Sequence, residues 1–359
     1  MQNSKTMKSF QPNSNFRKIY NWCFALVLIL IFLFVMLMSS RQGFGQFEDN
    51  FFQKNFLIEN FNRLRIKVGD HVFPVAIIGK EGWMEYTGDG NLDDFQNAFY
   101  FSSETLHNTA QTIEACHKYA QDHNITFLIV VAPNKASIYP DKLPEQIRPL
   151  SEVSRLDQLN NYLRAHKIPE ILDLRLALRE ARQQQDVYYK MGTHWNKYGA
   201  YIAYVEIIDV LSKKHPGLEP YSAKFFRFRM VPQDSSDIAG LIQANFIVKE
   251  PVLSPTRNVD DLVHKINFPD AIFGYHEISW LPNSDLPTLL LFHDSFGYAG
   301  LNNFLALNFS KAYYIHRNSS SLYLNKQAIE QFAPIVMIYE TVERNLKGIR
   351  SQLSGCASK

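Results

Sequence analysis

Thr288-Leu289-Leu290-Leu291-Phe292-His293-Asp294-Ser295-Phe296-Gly297 is the stretch that decides how this chain folds. Leu289 to Phe292 leave no polar face, the pattern of a strand buried on both sides. The run stops at His293-Asp294, and a serine follows with Gly297 two places beyond it. A buried strand that delivers a serine to a tight turn sets its hydroxyl at the carboxyl edge of a sheet. In open α/β folds that edge is where ligands bind.

Other segments repeat the theme. Thr126 to Ala132 is an apolar, β-branched run ended by Pro133 and reads as a second buried strand. Val75–Ile78, Glu170–Leu174, Ala312–Ile315 and Ile335–Tyr339 read as shorter strands. Between them lie helical stripes: Leu106, Ala110, Ile113, Cys116 and Ala120; then Leu156, Leu159 and Leu163. A third stripe, Ala200, Ala203, Ile207 and Leu211, follows Asn196 as its N-cap and ends at Pro216-Gly217. Strands alternating with amphipathic helices predict an α/β fold with a mostly parallel sheet covered on both faces. Residues 217–285 are richer in Pro, Ser and Asp and read as an irregular insertion or a set of long loops.

The N-terminus carries a different message. Ile19 to Met38 is nearly all apolar, about the length a helix needs to cross a hydrocarbon core. Lys5, Lys8, Arg17 and Lys18 precede it, which predicts a cytoplasmic tail and an exported remainder. A cleaved signal peptide is the alternative, but Met38-Ser39-Ser40-Arg41 is a poor cleavage site. The expected layout is a cytoplasmic tail 1–18, a transmembrane anchor 19–38, and a connector and helix 39–70. The α/β domain follows at 71–350 with its 217–285 insertion, and then a tail 351–359. The net charge of +2 across 359 residues gives no reason to expect a nucleic-acid partner. Cys116 and Cys356 lie in the exported part, where they are able to pair, and the spacing leaves open whether they do. No Cys/His spacing resembles a zinc site, so no metal is expected.

Ser295 is the candidate nucleophile. A serine hydroxyl is weak at neutral pH and needs an adjacent base; the alternative role is a cap on the turn. His194, in Gly192-Thr193-His194-Trp195-Asn196, is the candidate base, and the alternative is a histidine packed at a helix start. An imidazole base needs an acceptor on its other nitrogen. Asp186 and Asp294 are close in sequence to the pair, but neither spacing places it for that task, and Asp294 suits turn building. Asn134, after Val130-Val131-Ala132-Pro133, is a candidate donor to an oxyanion or a loop-structuring residue. Glu343 and Arg344 read as ion-pairing residues at a strand-to-helix junction.

Six segments, in order, resemble the AlgX/AlgJ-like alginate O-acetyltransferase family over roughly residues 50 to 350. Gly79-Lys80-Glu81-Gly82-Trp83-Met84-Glu85-Tyr86 is similar to its GKxGWLFY-type opening. Pro133, Lys135, Tyr139 and Pro140 match a P-x-K-x-x-x-Y-P segment, and Thr193-His194-Trp195-Asn196 resembles the D-T-H-W-N block. Ser236-Asp237-Ile238-Ala239 resembles a GDLA-like run, His293-Asp294-Ser295-Phe296 the GDSF block, and Glu340-Thr341-Val342-Glu343-Arg344 the terminal E-x-V-E-R block.

The resemblance implies a three-layer α/β/α SGNH-hydrolase-like domain behind one membrane span. It implies an O-acetyltransferase in the inner membrane, facing the periplasm or cell exterior and acting on an exported polysaccharide without a cofactor. Ser295 would carry the acetyl group, His194 would move protons, and amides near Ser295 would hold the oxyanion. Acetyl would arrive from a multi-span membrane acyltransferase, because acetyl-CoA is cytoplasmic. Two positions depart from the pattern: Gly192 stands where the Asp is expected, and His293 replaces the Gly of the GDSF block. Losing the orienting Asp costs about four orders of magnitude in a serine triad. An SGNH-type carbohydrate esterase and a non-catalytic glycan-binding scaffold therefore stay as alternatives.

Overall fold

The structure, a computed structural model, describes residues 14–40, 53–233, 237–243, 250–270, 274–316 and 324–357. It divides into two units at Lys67/Val68.

In the first unit, α1 (Ser14–Ser40) is a 27-residue helix that contains the expected span 19–38. The side chains at 14–21, 35 and 38–40 lie outside the described set; those from Trp22 to Phe34 are mostly apolar and exposed. Among the described residues no helix is long and apolar enough to cross a membrane. α2 (Lys54–Lys67) fills the end of the expected connector. Residues 1–13 and 41–52, with most of the expected tail and part of the expected connector, lie outside the described residues.

The second unit opens with β1 (Val72–Phe73), β2 (Ala76–Ile78) and β3 (Met84–Tyr86), a small antiparallel sheet. α3 (Asn91–Phe95) and α4 (Ser103–Asp122) lead into β4 (Thr126–Ala132). Then come α5 (Lys135–Ile138), α6 (Arg155–Ala165), β5 (Leu172–Asp173), α7 (Arg175–Ala181) and α8 (Lys197–Ser212). The next segment holds α9 (Ala223–Phe226), β6 (Arg229–Gln233), α10 (Asp237–Leu241), β7 (Glu250–Ser254), β8 (His264–Asp270) and β9 (Gly274–Trp280). β10 (Thr288–His293), α11 (Asn302–Leu305), β11 (Lys311–His316), α12 (Lys326–Phe332), β12 (Val336–Val342), α13 (Ile349–Gln352) and α14 (Ser354–Ala357) complete it.

The main sheet has seven strands in the order β5-β4-β12-β10-β11-β9-β8. The first five are mutually parallel. β9 runs antiparallel to β11, and β8 antiparallel to β9. Five of the seven strands are parallel, as expected, and the two antiparallel ones make the sheet mixed. The addition comes from residues 217–285, read as irregular from sequence. They contribute the β8–β9 pair at the sheet edge and a separate β6–β7 pair. β8 carries Lys265 and Pro269, which an edge strand tolerates and a central strand does not. That composition hides the strand from a reading based on apolar runs.

Alternation along the central strands separates the two helix layers. Leu128, Val130, Ala132, Leu289, Leu291 and Ile338 face a core built on α7 and α8. Phe127, Ile129, Val131, Leu290, Phe292 and Met337 face the other, built on α4, α6 and α13. α8 starts where the sequence predicts, with the Asn196 side chain accepting from the Tyr198 and Gly199 amides. A Cβ at Gly199 would stand 2.1 Å from the Val187 carbonyl oxygen, so only glycine permits this close approach.

Residues 351–357, expected as a tail, pack onto this unit. Cys356 on α14 forms a disulfide with Cys116 on α4, across 240 residues of sequence. Both cysteines are buried. A cross-link over so long a loop restricts the unfolded chain strongly. Reduction, or Cys356→Ser, is expected to lower stability by about 4 kcal/mol, measured as the shift in urea unfolding of the full chain with and without reductant. An unchanged midpoint would show that the bond contributes nothing.

Candidate active site

β10 ends at His293, and the turn behind it is fixed from both sides. The Asp294 amide donates to Glu340 Oε2 at 3.0 Å. Asp294 Oδ1 accepts from the Phe296 amide at 3.0 Å, and Oδ2 from the Val342 amide at 2.8 Å. Asp294 thus fastens the turn to the end of β12, which is its structural role. Ser295 emerges exposed from this turn, while Asp294 and Phe296 stay buried.

His293 does not crowd the nucleophile. It is fully buried beneath the turn, with Nδ1 2.7 Å from the Asp294 carbonyl and Nε2 3.2 Å from the Asn302 amide nitrogen. Asn302 donates to Nε2, so the proton sits on Nδ1 and is given to the carbonyl. A Cβ at Gly297 would lie 2.3 Å from the His293 ring, which explains the small residue after Phe296. Burial pushes the His293 pKa down to about 4, against the hydrogen bond to the Asp294 carbonyl. The unfolded chain then takes up this proton first as pH falls. Stability is complete above about 6.5 and is lost as pH drops to about 4, by on the order of 3 kcal/mol. His293→Gln is expected to flatten that part of the stability–pH curve; a curve with unchanged slope would show that His293 is not the group responsible.

The histidine loop is held by different means. The Tyr189 amide donates to the His194 carbonyl at 3.2 Å, and the Asn196 amide to Val187 at 2.9 Å. The buried Lys135 ammonium donates to the Gly192 carbonyl at 2.6 Å and to the Tyr189 and Lys190 carbonyls, each at 3.3 Å. Trp195 is fully buried, gives its indole N–H to the Phe296 carbonyl at 3.2 Å and meets the Phe296 ring edge-on. The two loops are therefore locked together through residue 296. The His194 ring also packs on Phe296, with centroids 4.9 Å apart.

That packing brings His194 Nε2 within 2.8 Å of Ser295 Oγ. On the other side of the ring, Nδ1 lies 3.1 Å from Asp237 Oδ2. Asp237 is the first residue of α10, inside the segment read from sequence as irregular. Thr193 holds it: the Thr193 amide donates to Oδ1 at 2.8 Å and the hydroxyl donates to Oδ2. Thr193 Oγ1 is also 3.0 Å from Nδ1, so the Nδ1 proton is shared between the carboxylate and the hydroxyl. Partial desolvation raises the Asp237 pKa, but hydrogen bonds from His194 and Thr193 and the attraction of His194 outweigh it and bring it to about 2. His194 is 25 % exposed and Asp237 41 %, so substrate is able to reach the group from solvent.

The other sequence candidates stand elsewhere. Asp186 accepts from the Tyr139 hydroxyl at 3.2 Å and does not meet His194. Asn134 is fully buried, donates its side-chain N–H to Asp94 at 2.8 Å and accepts from Arg344 at 3.3 Å. That places it in a structural network and not among oxyanion donors. Glu343 belongs to the same network: it accepts from Ser137 and the Asn134 amide and lies 3.6 Å from Arg175. Burial raises its pKa, opposed by Arg175. Among the described residues no group of three or more His, Cys, Asp or Glu is placed to hold a metal ion. Asp237 is the functional residue that sequence reasoning missed. The Ser236-Asp237-Ile238-Ala239 run was the available signal, although Ser236 itself lies outside the described residues.

Residues 76–263 match the family described as "SGNH hydrolase-like domain, acetyltransferase AlgX". The match covers just over half of the chain, which belongs to this family. A curated relative, the "Probable alginate O-acetylase AlgJ" of Azotobacter vinelandii, is 25% identical over 179 residues, covering 45% of each protein. The chain thus spans less than half the length of that relative. Two solved structures share the fold. One is a DHHW family protein from Eubacterium siraeum, at TM-score 0.54 and 15% identity over 80% of this chain and 100% of that one. The other is Bacillus cereus PatB1 with a sulfonyl adduct, at 0.55 and 14% over 78% and 97%.

Proposed function

We propose that this member of the AlgX-type SGNH hydrolase-like family is an O-acetyltransferase that moves acetyl groups onto hydroxyls of an exported polysaccharide through an acetyl-Ser295 intermediate. The observation that carries the reading is the continuous relay Ser295 Oγ, His194 Nε2, His194 Nδ1, Asp237 Oδ2. His194 Nε2 takes the hydroxyl proton as Oγ attacks the acetyl carbonyl of the donor. Asp237 stabilises the imidazolium that forms. The intermediate collapses, the donor's oxygen leaves with the proton from His194, and acetyl stays on Ser295. A sugar hydroxyl then enters, gives its proton to His194 and attacks the acetyl-serine. Collapse returns that proton to Oγ and releases the acetylated sugar. The Phe296 amide is committed to Asp294, so the Ser295 amide is the turn's donor to the oxyanion in this reading.

Gly192 was the argument for an inactive scaffold. In this reading Asp237 supplies the carboxylate that Gly192 lacks, and its 3.1 Å contact with His194 Nδ1 supports catalysis over that alternative. Ser295 is exposed, so water is a competing acceptor and hydrolysis of acyl esters is the second reading. The basic residues Lys5, Lys8, Arg17 and Lys18, the apolar run 19–38 that follows them in the sequence, and a buried disulfide of the kind that persists in oxidising compartments support the reading of an inner-membrane anchor with the domain outside the cytoplasm. A multi-span membrane acyltransferase is the proposed acetyl source. The test incubates the full chain with an acetyl-ester donor and measures the Ser295 peptide by mass spectrometry, with and without an oligosaccharide acceptor. Acetyl on Ser295 that moves to sugar supports transfer; acetyl lost only to water supports the esterase; no acetyl on Ser295 sinks both.

A further inference from the structure

The segment Pro133 to Tyr139 takes no part in the relay, yet it grips the chain leading to His194 almost residue by residue. The Val187 amide donates to the Tyr139 hydroxyl at 2.9 Å, and the Tyr188 hydroxyl donates to the Pro133 carbonyl at 2.6 Å. Beyond them, the Lys135 ammonium donates to the carbonyls of Tyr189, Lys190 and Gly192. An ammonium has three N–H donors, and each finds its own carbonyl here. Residues 189–194 belong to no helix or strand, so these side-chain bonds stand where a ladder would otherwise hold the backbone.

The amides of the same loop meet the opposite charge. Glu250 Oε1, on β7, accepts from the Lys190 amide at 2.8 Å and from the Met191 amide at 3.5 Å. Asp237 Oδ1 accepts from the Thr193 amide at 2.8 Å. The peptide units 189–190, 190–191 and 192–193 therefore each place their carbonyl on Lys135 and their N–H on a carboxylate. A peptide dipole between a cation at its oxygen end and an anion at its N–H end is stabilised at both ends and resists rotation.

Lys135 is buried, and burial pushes its pKa down, opposed by Glu85 and then by Asp237 and Glu250. A buried cation is costly to keep. Here the attraction that offsets the cost comes in part from Asp237 and Glu250, which flank the loop on its other side. One charge thus ties α5, the histidine loop and the segment carrying Asp237 into a single unit.

We propose that Lys135 and Glu250 are positioning residues: they clamp the loop 189–193 from its carbonyl and amide sides and so hold the His194 ring in register between Ser295 and Asp237. The proposal rests on the reading of Ser295 and His194 as nucleophile and base. Lys135 acts from within the core and touches no substrate. Its effect passes through the loop, and a displacement of about 1 Å at a reacting group is able to cost about a hundredfold in rate.

The test follows sulfonylation of Ser295 by phenylmethanesulfonyl fluoride in the detergent-solubilised full chain, read by mass spectrometry of the Ser295 peptide. In that reaction Oγ bonds to sulfur, fluoride leaves and His194 takes the hydroxyl proton, so it needs the activated serine but neither an acetyl donor nor a glycan. Lys135→Met removes the donors at similar volume, and Glu250→Ala removes the acceptor. Each is expected to slow labelling by about ten- to a hundredfold and to lower kcat for a small acetyl ester at constant KM. Glu250→Gln, which keeps an acceptor oxygen, should recover most of the rate. Circular dichroism checks the fold, and Glu250→Ala decides alone where Lys135→Met does not fold. A folded Lys135→Met or Glu250→Ala that labels as fast as the wild type overturns the proposal, as does a loss that falls on KM with kcat unchanged. Slower labelling in the variants, with a wild type that moves no acetyl to an oligosaccharide, supports the clamp while sinking the transferase reading.

Discussion

Ser295→Ala is expected to reduce acetyl transfer to the level of the uncatalysed reaction and leave the fold intact. The side chain is exposed, and the turn is fixed by Asp294 and Glu340, so the hydroxyl contributes nothing to packing. Its Oγ lies 2.8 Å from His194 Nε2, placed to give up its proton to that base. His194→Ala should cost a comparable factor, because members of a nucleophile–base unit fail together and not additively. The measurement is turnover of a small acetyl ester alongside acetylation of the glycan, at matched thermal midpoints. Wild-type acetylation by both variants would remove Ser295 from the chemistry and return the scaffold reading to first place.

Asp237→Asn is the second large effect. The carboxylate accepts from Nδ1 and stabilises the imidazolium, so the amide is expected to lower turnover by roughly two to four orders of magnitude, the upper figure being that of a serine triad without its Asp. The amide keeps the size and one acceptor of the carboxylate, so stability should change far less than activity. A spectroscopic signature separates positioning from a general structural effect. The Nδ1 proton of His194, deshielded by its carboxylate partner, should move upfield in the variant. Gly192→Asp tests the same assignment from the other side. Because Nδ1 already meets Asp237 at 3.1 Å, a carboxylate at 192 is expected to leave turnover within a few-fold. A large gain in Gly192→Asp, or near-wild-type turnover in Asp237→Asn, would show that Asp237 does not orient the base.

The legible and illegible parts of this site differ in the range of the forces that build them. β4 and β10 were readable to the residue because burial on both faces leaves an unbroken apolar run, and α8 because Asn196 caps it through contacts two and three residues away. Ser295 and His194 were readable because each sits directly after or before such an element. Asp237 was not. It lies 44 residues from Thr193, on a five-residue helix whose own pattern carries no periodic signal, and only the packing of α10 brings its carboxylate to the ring. β8 escaped for a related reason: it is the edge strand of the sheet, and its Lys and Pro read as loop composition. The disulfide needed α4 and α14 to be brought together across 240 residues. Local burial and capping thus wrote the scaffold and the positions of Ser295 and His194 into the sequence. The carboxylate beside His194 was decided by long-range packing, because the Thr193 that holds it lies 44 residues away in the chain.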